Sequence, residues 1–337
     1  MTALNKGYLG GYLQAMGSFG VMGVLRVLYK SNGQEHRCSW DCQHRYAIEA
    51  RLFRADYTIK GLAPDDSGRN FIERSKQVGS VRVIAAIAMR IFLSVTDTNA
   101  LCGTGDMHIF STAQAKLLLN MTDDHEPSGN LLDVGAGDGG ITAQLAPLFS
   151  TVTTTEVSER MATRLEQRGF KCVVTMDPST VPEATCIDLF ECVSCLNVLD
   201  RCNCPLDLLA SLRDLLVPDT GRLLLAVVLP FNPGIEQGTE WCRPKQNVPE
   251  NVYHKSFEIA ANALAFEVLE PLGFRIESIS RLPYMSFSVS LSQDYAILDN
   301  ALFVCRRGKY QRGTKSKDTL NAFSSCFMGF LFGGGTC

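Results

Sequence analysis

The sequence has little excess charge of either sign. Its 337 residues include 32 lysines and arginines against 35 aspartates and glutamates, a formal net charge of -3. Proteins that bind nucleic acid through its phosphates usually concentrate positive charge, so no nucleic-acid partner is expected. The chain also has no internal repeat. Its apolar fraction of 46% and charged fraction of 20% are those of an ordinary globular protein, with one large domain plus an accessory piece or two small domains.

Paired cysteine motifs are also scarce, although the chain has 13 cysteines. Cys192 and Cys195 form a C-x-x-C inside a run that predicts a strand. Because residues three apart on a strand point to opposite faces, this pair is poorly placed to share a metal ion. Cys38, Cys42 and His44 form a second cluster, but it lacks a second C-x-x-C, and no metal site is predicted. The cysteines are expected to be buried and reduced.

One long uncharged run lies near the N-terminus, from Gly7 to Leu25. It is about long enough to cross a bilayer, yet it is rich in glycine and has few large aliphatic residues. Two interpretations stay open, a signal or membrane anchor and a plain amphipathic segment. A second apolar run, residues 78–95, contains Arg82 and Arg90. Charges inside that run favour a helix packed on the domain over a membrane span.

From about Leu131 the sequence alternates between apolar strands and helices, which predicts a parallel, doubly wound α/β sheet. Before it, the first hundred residues look helical, with a turn-like break at 63–68. A later helix over 256–272 is expected to end at Gly273, a natural C-cap. The predicted strands are 130–134, 151–155, 171–175, 189–196, 222–229, 274–279 and 301–305, and helices are predicted over 140–149, 159–168 and 206–216.

The first predicted sheet strand leads into a glycine-rich loop, LLDVGAGDGG. Gly135, Gly137 and Gly140 satisfy G-x-G-x-x-G, the fingerprint of dinucleotide binding, but that spacing alone is a weak signal. A pyrophosphate there would lie beside the like charges of Asp133 and Asp138. S-adenosylmethionine has no phosphate and carries an ammonium and a sulfonium, which suit carboxylates at a strand end. The loop is therefore predicted to bind this cofactor through Asp133, Gly135, Ala136, Gly137 and Gly139.

The next predicted strand ends in an acid, Glu156. An acid at that position accepts hydrogen bonds from ribose hydroxyls. A nicotinamide cofactor would use it too, so Glu156 indicates a nucleoside cofactor without choosing which one. The alternative is an exposed acid at a strand end.

Several stretches, taken together, resemble the DREV family of methyltransferase-like proteins. The resemblance covers about Leu101 to Val304, and the first hundred residues match only loosely. It implies a Rossmann-like class I methyltransferase with a seven-stranded, mostly parallel sheet and an N-terminal helical extension. The stretches, in chain order, are GTGDMHIFS, LLDVGAGDG, TEVSERM, SCLNVLDRCNCPLDLL, GRLLLAVVLPFNP, SRLPY and YAILDNALFV.

The resemblance also implies an activity and its residues. Family members use S-adenosylmethionine to methylate the pros nitrogen, Nδ1, of histidine in proteins with His-x-His motifs. It implies that Asn197 and Asp200 contact the target histidine, that Asn197 also contacts the cofactor, and that Tyr284 lines the acceptor pocket. Asn232 departs from the family, which has histidine there. The other interpretation of Asp200 is an N-terminal signal for the helix that Pro205 opens.

Four regions are predicted: 1–37 as a signal or anchor segment, 38–100 as a helical accessory region, 101–305 as the methyltransferase domain, and 306–337 as a basic, then apolar tail that is expected to be disordered. The expected partners are His-x-His proteins, with membrane association through the N-terminus as a candidate. The endoplasmic reticulum, other endomembranes, mitochondria and the cytoplasm stay open as locations. Two rival functions also stay open, a methyltransferase with another protein or small-molecule acceptor and a non-enzymatic cofactor-binding scaffold; a nicotinamide dehydrogenase ranks last.

Overall fold

A computed structural model of the chain describes residues 47–54, 57–182, 189–290 and 293–308. In these residues the backbone forms ten strands and eight α-helices. The strands are β1 Met107–His108, β2 Asn130–Val134, β3 Thr151–Glu156, β4 Lys171–Val174, β5 Cys192–Leu196, β6 Arg222–Val228, β7 Ile235–Gln237, β8 Glu240–Cys242, β9 Phe274–Phe287 and β10 Tyr295–Arg307. The helices are α1 Asp66–Lys76, α2 Ser80–Met89, α3 Val95–Cys102, α4 Thr112–Leu119, α5 Thr142–Leu145, α6 Glu159–Gln167, α7 Pro205–Asp214 and α8 Phe257–Ala263.

Eight of the described strands form one sheet, in the order β1-β9-β10-β6-β5-β2-β3-β4. Strands β2 to β6 are parallel, whereas β1, β9 and β10 pair antiparallel with their neighbours. Strands β7 and β8 form a separate hairpin. The predicted α/β class and the doubly wound, mostly parallel sheet are confirmed. The sheet has eight strands instead of seven because the two-residue β1 pairs with the outer edge of β9.

The closing strands are longer than predicted. The sequence predicts strands over 274–279 and 301–305, but β9 and β10 have 14 and 13 residues and pair along most of their length. Pro283 and the scattered serines and arginines of β9 interrupt the apolar alternation that is typical of a strand. Pairing with β10 nevertheless keeps the whole segment extended, because tertiary contacts override local β-propensity. The tail boundary predicted after Cys305 falls inside β10, where Arg306 forms an ion pair with Glu277 on β9.

Three helical predictions differ from the structure. The predicted break at 63–68 starts α1, because the Asp65 side chain accepts hydrogen bonds from the backbone N–H groups of Ser67 and Gly68. The predicted helix over 140–149 is the short α5 followed by a 3₁₀ turn over Ala146–Leu148. The predicted helix over 256–272 changes from α8 to a π-helix over Leu264–Leu269, before Gly273 with φ +87°.

The sheet is covered on both faces. One face carries Leu224 and Leu302 under α4, and the other carries Leu225 and Phe303 under α7 and α8. Cys192 and Cys195 join these two different clusters, which confirms that they point to opposite faces. In the part of the chain that the structure describes, no three His, Cys, Asp or Glu side chains converge to hold a metal ion. Cys38, Cys42 and His44 lie outside the described residues.

The second apolar run forms a packed helix, as predicted. Within residues 78–95, α2 buries Val83 and Ala86 against Val289. Among the described helices, none combines the length and the hydropathy that a membrane crossing requires. The run from Gly7 to Leu25 lies outside the described residues, as does the tail from residue 309 onward.

Two neighbouring leucines of α4 give a direct test of this packing. Leu118 is 0% exposed beneath the helix, whereas Leu117 is 60% exposed on the same turn. We expect Leu118→Ala to lower the free energy of unfolding by about 2–5 kcal/mol, because it leaves a cavity in the core. The matched change Leu117→Ala should stay within about 0.5 kcal/mol. Denaturant titrations measure both, and equal losses in the two variants would contradict this packing.

Candidate active site

The carboxylate of Asp133 lies beneath the glycine loop. Its side chain is buried, and its two oxygens accept hydrogen bonds of 2.6 Å each from the hydroxyls of Ser194 on β5 and Thr142 on α5. Burial raises the pKa of Asp133 to about 6, against the opposing effect of the two hydroxyls. The sequence predicts that Asp133 serves the cofactor directly. In the structure both oxygens accept hydrogen bonds from the protein, which fix the end of β2 to its neighbours, and direct contact of Asp133 with the cofactor stays a prediction.

The loop above Asp133 turns sharply at glycine. Gly135, Gly137 and Gly139 have φ of +68°, +59° and +80°, the left-handed region that glycine adopts readily. Gly135 has no room for a side chain, since a Cβ there would lie 2.6 Å from Val198 Cγ2. The backbone N–H groups of Gly135 and Ala136 donate to the carbonyl of Thr155 at 2.9 and 3.0 Å. The loop is therefore held close to both flanking strands.

Asp138, which the sequence treats as a charge beside the ligand, is buried in a structural contact. Its carboxylate pairs with Arg168 at 2.9 Å and accepts a hydrogen bond from the Gly140 N–H at 3.0 Å. The nearby Asp106 has a raised pKa, chiefly through burial and then through the charge of Asp138. Asp106 and Asp138 therefore pack against the end of the loop at Gly140.

Glu156 ends β3 beside the loop, as predicted. Its Oε2 accepts a hydrogen bond from the Gly137 N–H at 2.9 Å, and its Oε1 accepts from Val157 and Ser158 at 2.8 and 3.1 Å. A carboxylate oxygen has more than one acceptor direction, so hydroxyl groups of a ligand can still reach this buried side chain. The exposed-acid alternative is therefore wrong, because Glu156 is only 6% exposed.

Two exposed apolar side chains lie at the same edge of the sheet. Val157 follows Glu156 and is 57% exposed, and Met176 follows β4 and is 67% exposed. The two segments are joined by the hydrogen bond from the Thr175 N–H to the Glu156 carbonyl at 3.1 Å. An apolar surface beside an acid and a glycine loop matches a nucleoside, which has a flat base and a ribose with two hydroxyls.

The segment after β5 carries the predicted acceptor residues. Asn197 has φ +59°, and the oxygen and nitrogen of its carboxamide are buried with no hydrogen-bond partner among the described residues. Asp200 is 8% exposed, and its Oδ1 is also buried without a partner in the described chain. Burial raises the pKa of Asp200, while Arg201, 3.3 Å from its Oδ2, acts in the opposite direction. Buried polar atoms without a partner are rare in folded proteins, and the polar groups of a bound ligand are one means of satisfying them.

Tyr284 approaches the loop from β9. Its hydroxyl donates to the Met107 sulfur at 2.6 Å, and the Met107 methyl group lies 3.3 Å from where a Cβ of Gly137 would be. Burial raises the pKa of Tyr284, and the charges of Arg201 and Asp200 act on it in opposite directions. The structure therefore brings Tyr284 near both the cofactor loop and Asp200. Asn232, the departure from the family, is exposed, so no pocket role is visible for it.

Helix α3 packs beside the site, between the end of β3 and the β7–β8 hairpin. Asp97 on α3 accepts a hydrogen bond of 2.6 Å from Ser158, two residues after Glu156. At the start of α3, Thr96 donates its hydroxyl to Glu236 of β7 at 2.6 Å, and the Val95 and Thr96 N–H groups donate to the same carboxylate. The helix thus connects the end of β3 to the β7–β8 hairpin. The boundary predicted between residues 100 and 101 falls inside this helix, which contacts both the end of β3 and the hairpin.

Sequence reasoning misses three contributors: Met107, Val198 and α3. Met107 lies in the quoted stretch GTGDMHIFS and Val198 in LNVLDR, but neither residue type signals a function by itself. For α3 a local signal exists, since Ser94 caps the helix by accepting from the Asp97 N–H at 2.9 Å. That signal predicts where the helix starts and does not predict what it packs against.

The buried carboxylate predicts a pH dependence of stability. The pKa of Asp133 is about 6 in the folded state and near 3.8 in the unfolded state, so the folded state binds the proton more tightly. Its favourable contribution is present below about pH 4 and is lost as the pH rises through about 6. We expect the stability of the wild type relative to Asp133→Asn to fall by about 2–3 kcal/mol over that interval. Denaturant titrations from pH 4 to pH 7 measure this, and a constant difference would contradict it.

A glycine pair tests the loop. Gly135→Ala places a methyl group against Val198 and strains a backbone φ of +68°. We therefore expect a lower stability and a weaker binding of S-adenosylhomocysteine. The affinity should fall at least tenfold, which corresponds to about 1.4 kcal/mol. Gly169→Ala is the control: Gly169 has φ +87°, with open space around a Cβ. It should lose about 1 kcal/mol of stability and keep its affinity. Calorimetric titration distinguishes the two, and unchanged affinity in Gly135→Ala would be evidence against a cofactor role.

Comparison with solved structures shows methyltransferases of low identity. A putative methyltransferase from Bacillus halodurans is 14% identical, with a TM-score of 0.39, and the match covers 59% of this chain and 99% of that one. The N-methyltransferase NodS from Bradyrhizobium japonicum, crystallised with S-adenosylhomocysteine, is 15% identical, with a TM-score of 0.37 and coverage of 58% and 85%. A complex of the Trm112 methyltransferase activator and a putative methyltransferase from Haloferax volcanii matches at 14% identity, a TM-score of 0.39 and coverage of 64% and 98%.

The family comparison is more direct. A model of the DREV methyltransferase family matches residues 46–307, which include the whole described sheet and the site around Glu156, Asn197 and Asp200. The match confirms the resemblance seen in the sequence motifs, and it extends through the N-terminal helices that the motifs do not cover. The chain belongs to the DREV methyltransferase family, and its cofactor is S-adenosylmethionine.

Proposed function

We propose that the protein transfers a methyl group from S-adenosylmethionine to Nδ1 of histidine in proteins with His-x-His motifs. The observation that carries the proposal is a set of buried polar atoms beside the cofactor loop that have no hydrogen-bond partner in the described residues: both carboxamide atoms of Asn197 and Oδ1 of Asp200. Val198 lies between them and packs on Gly135, so the two side chains and the loop are held together. A neutral imidazole has one N–H donor, which the free Asp200 oxygen can accept, and one nitrogen lone pair, which stays available for the methyl group.

The chemistry requires one tautomer of the acceptor. Neutral histidine needs no strong base near pH 7, but a nucleophilic Nδ1 must leave its proton on Nε2. We infer that Asp200 accepts a hydrogen bond from Nε2–H, which selects that tautomer and stabilises the cationic ring that forms on methylation. Asn197 then orients the ring. Transfer to Nδ1 would break the methyl–sulfur bond and release S-adenosylhomocysteine, and the methylated imidazolium then loses its Nε2 proton to solvent before the neutral product leaves.

Arg201 supports this role of Asp200. Burial favours the protonated carboxyl, which could not accept from Nε2–H in the same way. The guanidinium, 3.3 Å from Asp200 Oδ2, favours the ionised form and leaves Oδ1 available. Asp200 thereby has one oxygen for Arg201 and one for the acceptor.

The cofactor side of the site is assigned in the same way. When bound, S-adenosylmethionine supplies an electrophilic methyl group on a sulfonium, and the transfer depends mainly on alignment. Glu156 accepts from the ribose hydroxyls, and Val157 and Met176 contact the adenine through their exposed apolar surface. The backbone of Gly135 and Gly137 allows close approach to the ligand.

The leading rival is a methyltransferase with a different acceptor, since a fold does not determine a substrate. A labelled-cofactor assay tests this. A peptide containing Ala-His-Ala-His is compared with one in which both histidines are alanine. Label on the first peptide alone, located at Nδ1 by fragmentation and nuclear magnetic resonance, supports the proposal. No label on either peptide, with S-adenosylhomocysteine still bound, refutes the histidine acceptor and retains the methyltransferase.

A substitution that removes the charge of Asp200 and keeps its shape tests this residue. We expect Asp200→Asn to lower kcat for the histidine peptide by 100-fold or more, on the order of 3 kcal/mol in transition-state stabilisation, because a carboxamide neither holds the tautomer nor stabilises the cation. Affinity for S-adenosylhomocysteine should stay unchanged. Asp66→Asn on α1, whose side chain is 88% exposed, is the control and should be fully active. Full activity of Asp200→Asn would eliminate this role.

Beyond the acceptor, we propose His-x-His proteins as partners and a membrane-associated location through the N-terminal run. Fractionation of cells that express the full chain and a chain lacking residues 1–37 tests the location. Loss of membrane recovery in the shorter chain alone supports it.

A further inference from the structure

The segment that follows β5, residues 197–203, carries Asn197 and Asp200 and is here called the acceptor segment. The hairpin formed by β7 and β8 is fixed to this segment at both ends. Before the hairpin, the Gly234 N–H donates to the Asp200 carbonyl at 2.9 Å. After it, the Gln246 N–H donates to the Asn203 carbonyl at 3.0 Å. Glu236 of β7 binds the first turn of α3, as described above. The hairpin is therefore held at the edge of the acceptor site.

Trp241 lies at the centre of this hairpin. It pairs with Glu236 across the two strands, so both side chains project from the same hairpin face, the one that contacts α3. The Arg201 guanidinium lies 4.8 Å from the centre of the indole ring. Gly234 packs on the benzene half of the indole, where a Cβ would come within 3.1 Å of the ring. The ring is thus fixed by contacts on its faces.

Even so, Trp241 is 41% exposed, and its indole N–H has no hydrogen-bond partner in the described residues. A single exposed aromatic residue needs no explanation in general. Trp241 combines a ring held by Arg201 and Gly234, an indole N–H without a partner in the described chain, and a connection to Asp200 through Arg201. Arg201 contacts Trp241 through its guanidinium and Asp200 through its Nε, so the three side chains form one continuous row.

We propose that Trp241 is a specificity-determining residue that binds the polypeptide next to the acceptor histidine. This inference rests on the proposed function. A rigid aromatic ring gives contact area at low entropic cost, and the indole N–H can donate to a peptide carbonyl. Arg201 keeps the ring at the rim of the pocket that Asp200 lines. A polypeptide acceptor therefore gains affinity outside the pocket, which a free histidine derivative cannot do.

Kinetics with two acceptors test the inference. Trp241→Ala should raise KM for an extended His-x-His peptide about tenfold, on the order of 1.4 kcal/mol. The KM for S-adenosylmethionine and kcat/KM for acetylhistidine methylamide should change less than about twofold. Phe266→Ala is the matched control, because Phe266 is also an exposed aromatic, 53% exposed, with an arginine, Arg54, 5.0 Å from its ring. Equal losses for both acceptors in Trp241→Ala would overturn a role in peptide recognition.

A binding measurement gives an independent readout. The chain has two tryptophans, so Trp40→Phe leaves Trp241 as the only indole fluorophore. We expect the extended peptide to shift the emission to shorter wavelength, with saturation near the KM of the peptide. No shift at concentrations that saturate methylation would overturn the proposal.

The titration does not depend on turnover. If histidine methylation fails, the labelled-cofactor assay records that failure separately. A saturable shift would then still support peptide binding at Trp241, and its absence would refute it.

Discussion

The buried carboxylate of Asp133 is the constraint on which the site depends. A glycine-rich loop has few side chains of its own with which to hold its position. Asp133 supplies the missing anchor, because its two oxygens join the end of β2 to Ser194 on β5 and to Thr142 at the start of α5. Ser194 lies three residues before Asn197, so the same contact sets the cofactor loop relative to the acceptor segment. The energetic cost of burying this acid appears as its raised pKa.

The site is completed by parts of the chain that are distant in sequence. Helix α3 precedes the sheet, yet it binds the end of β3 through Asp97 and the β7–β8 hairpin through its first turn. The hairpin in turn binds the segment that holds Asp200. These contacts link the end of β3, α3, the hairpin and the segment that holds Asp200, so each element helps to position the next. The family model matches from residue 46 onward, so its match includes these helices as well as the sheet.

The sequence predicts an element or a site residue best where the local pattern favours the same conformation as the tertiary contacts. Strand β2 has the predicted bounds, Glu156 ends its strand as expected, and Asn197 and Asp200 follow β5. Their placement follows from chain order, because parallel strands bring their carboxyl ends to one edge. The lengths of β9 and β10 could not be predicted, since long-range pairing overrides the proline and polar residues of β9. Met107 could not be identified either, because a methionine becomes part of the site only through its tertiary neighbours.

Met107 has a mechanical consequence. Its methyl group contacts the turn at Gly137, and its sulfur accepts a hydrogen bond from the Tyr284 hydroxyl, so one side chain contacts both the glycine loop and β9. Methionine has three rotatable bonds and repacks easily. A ligand that displaces the Gly137 turn therefore changes the packing around Tyr284 through a single flexible link. Met107 thus joins the glycine loop to β9 through a thioether.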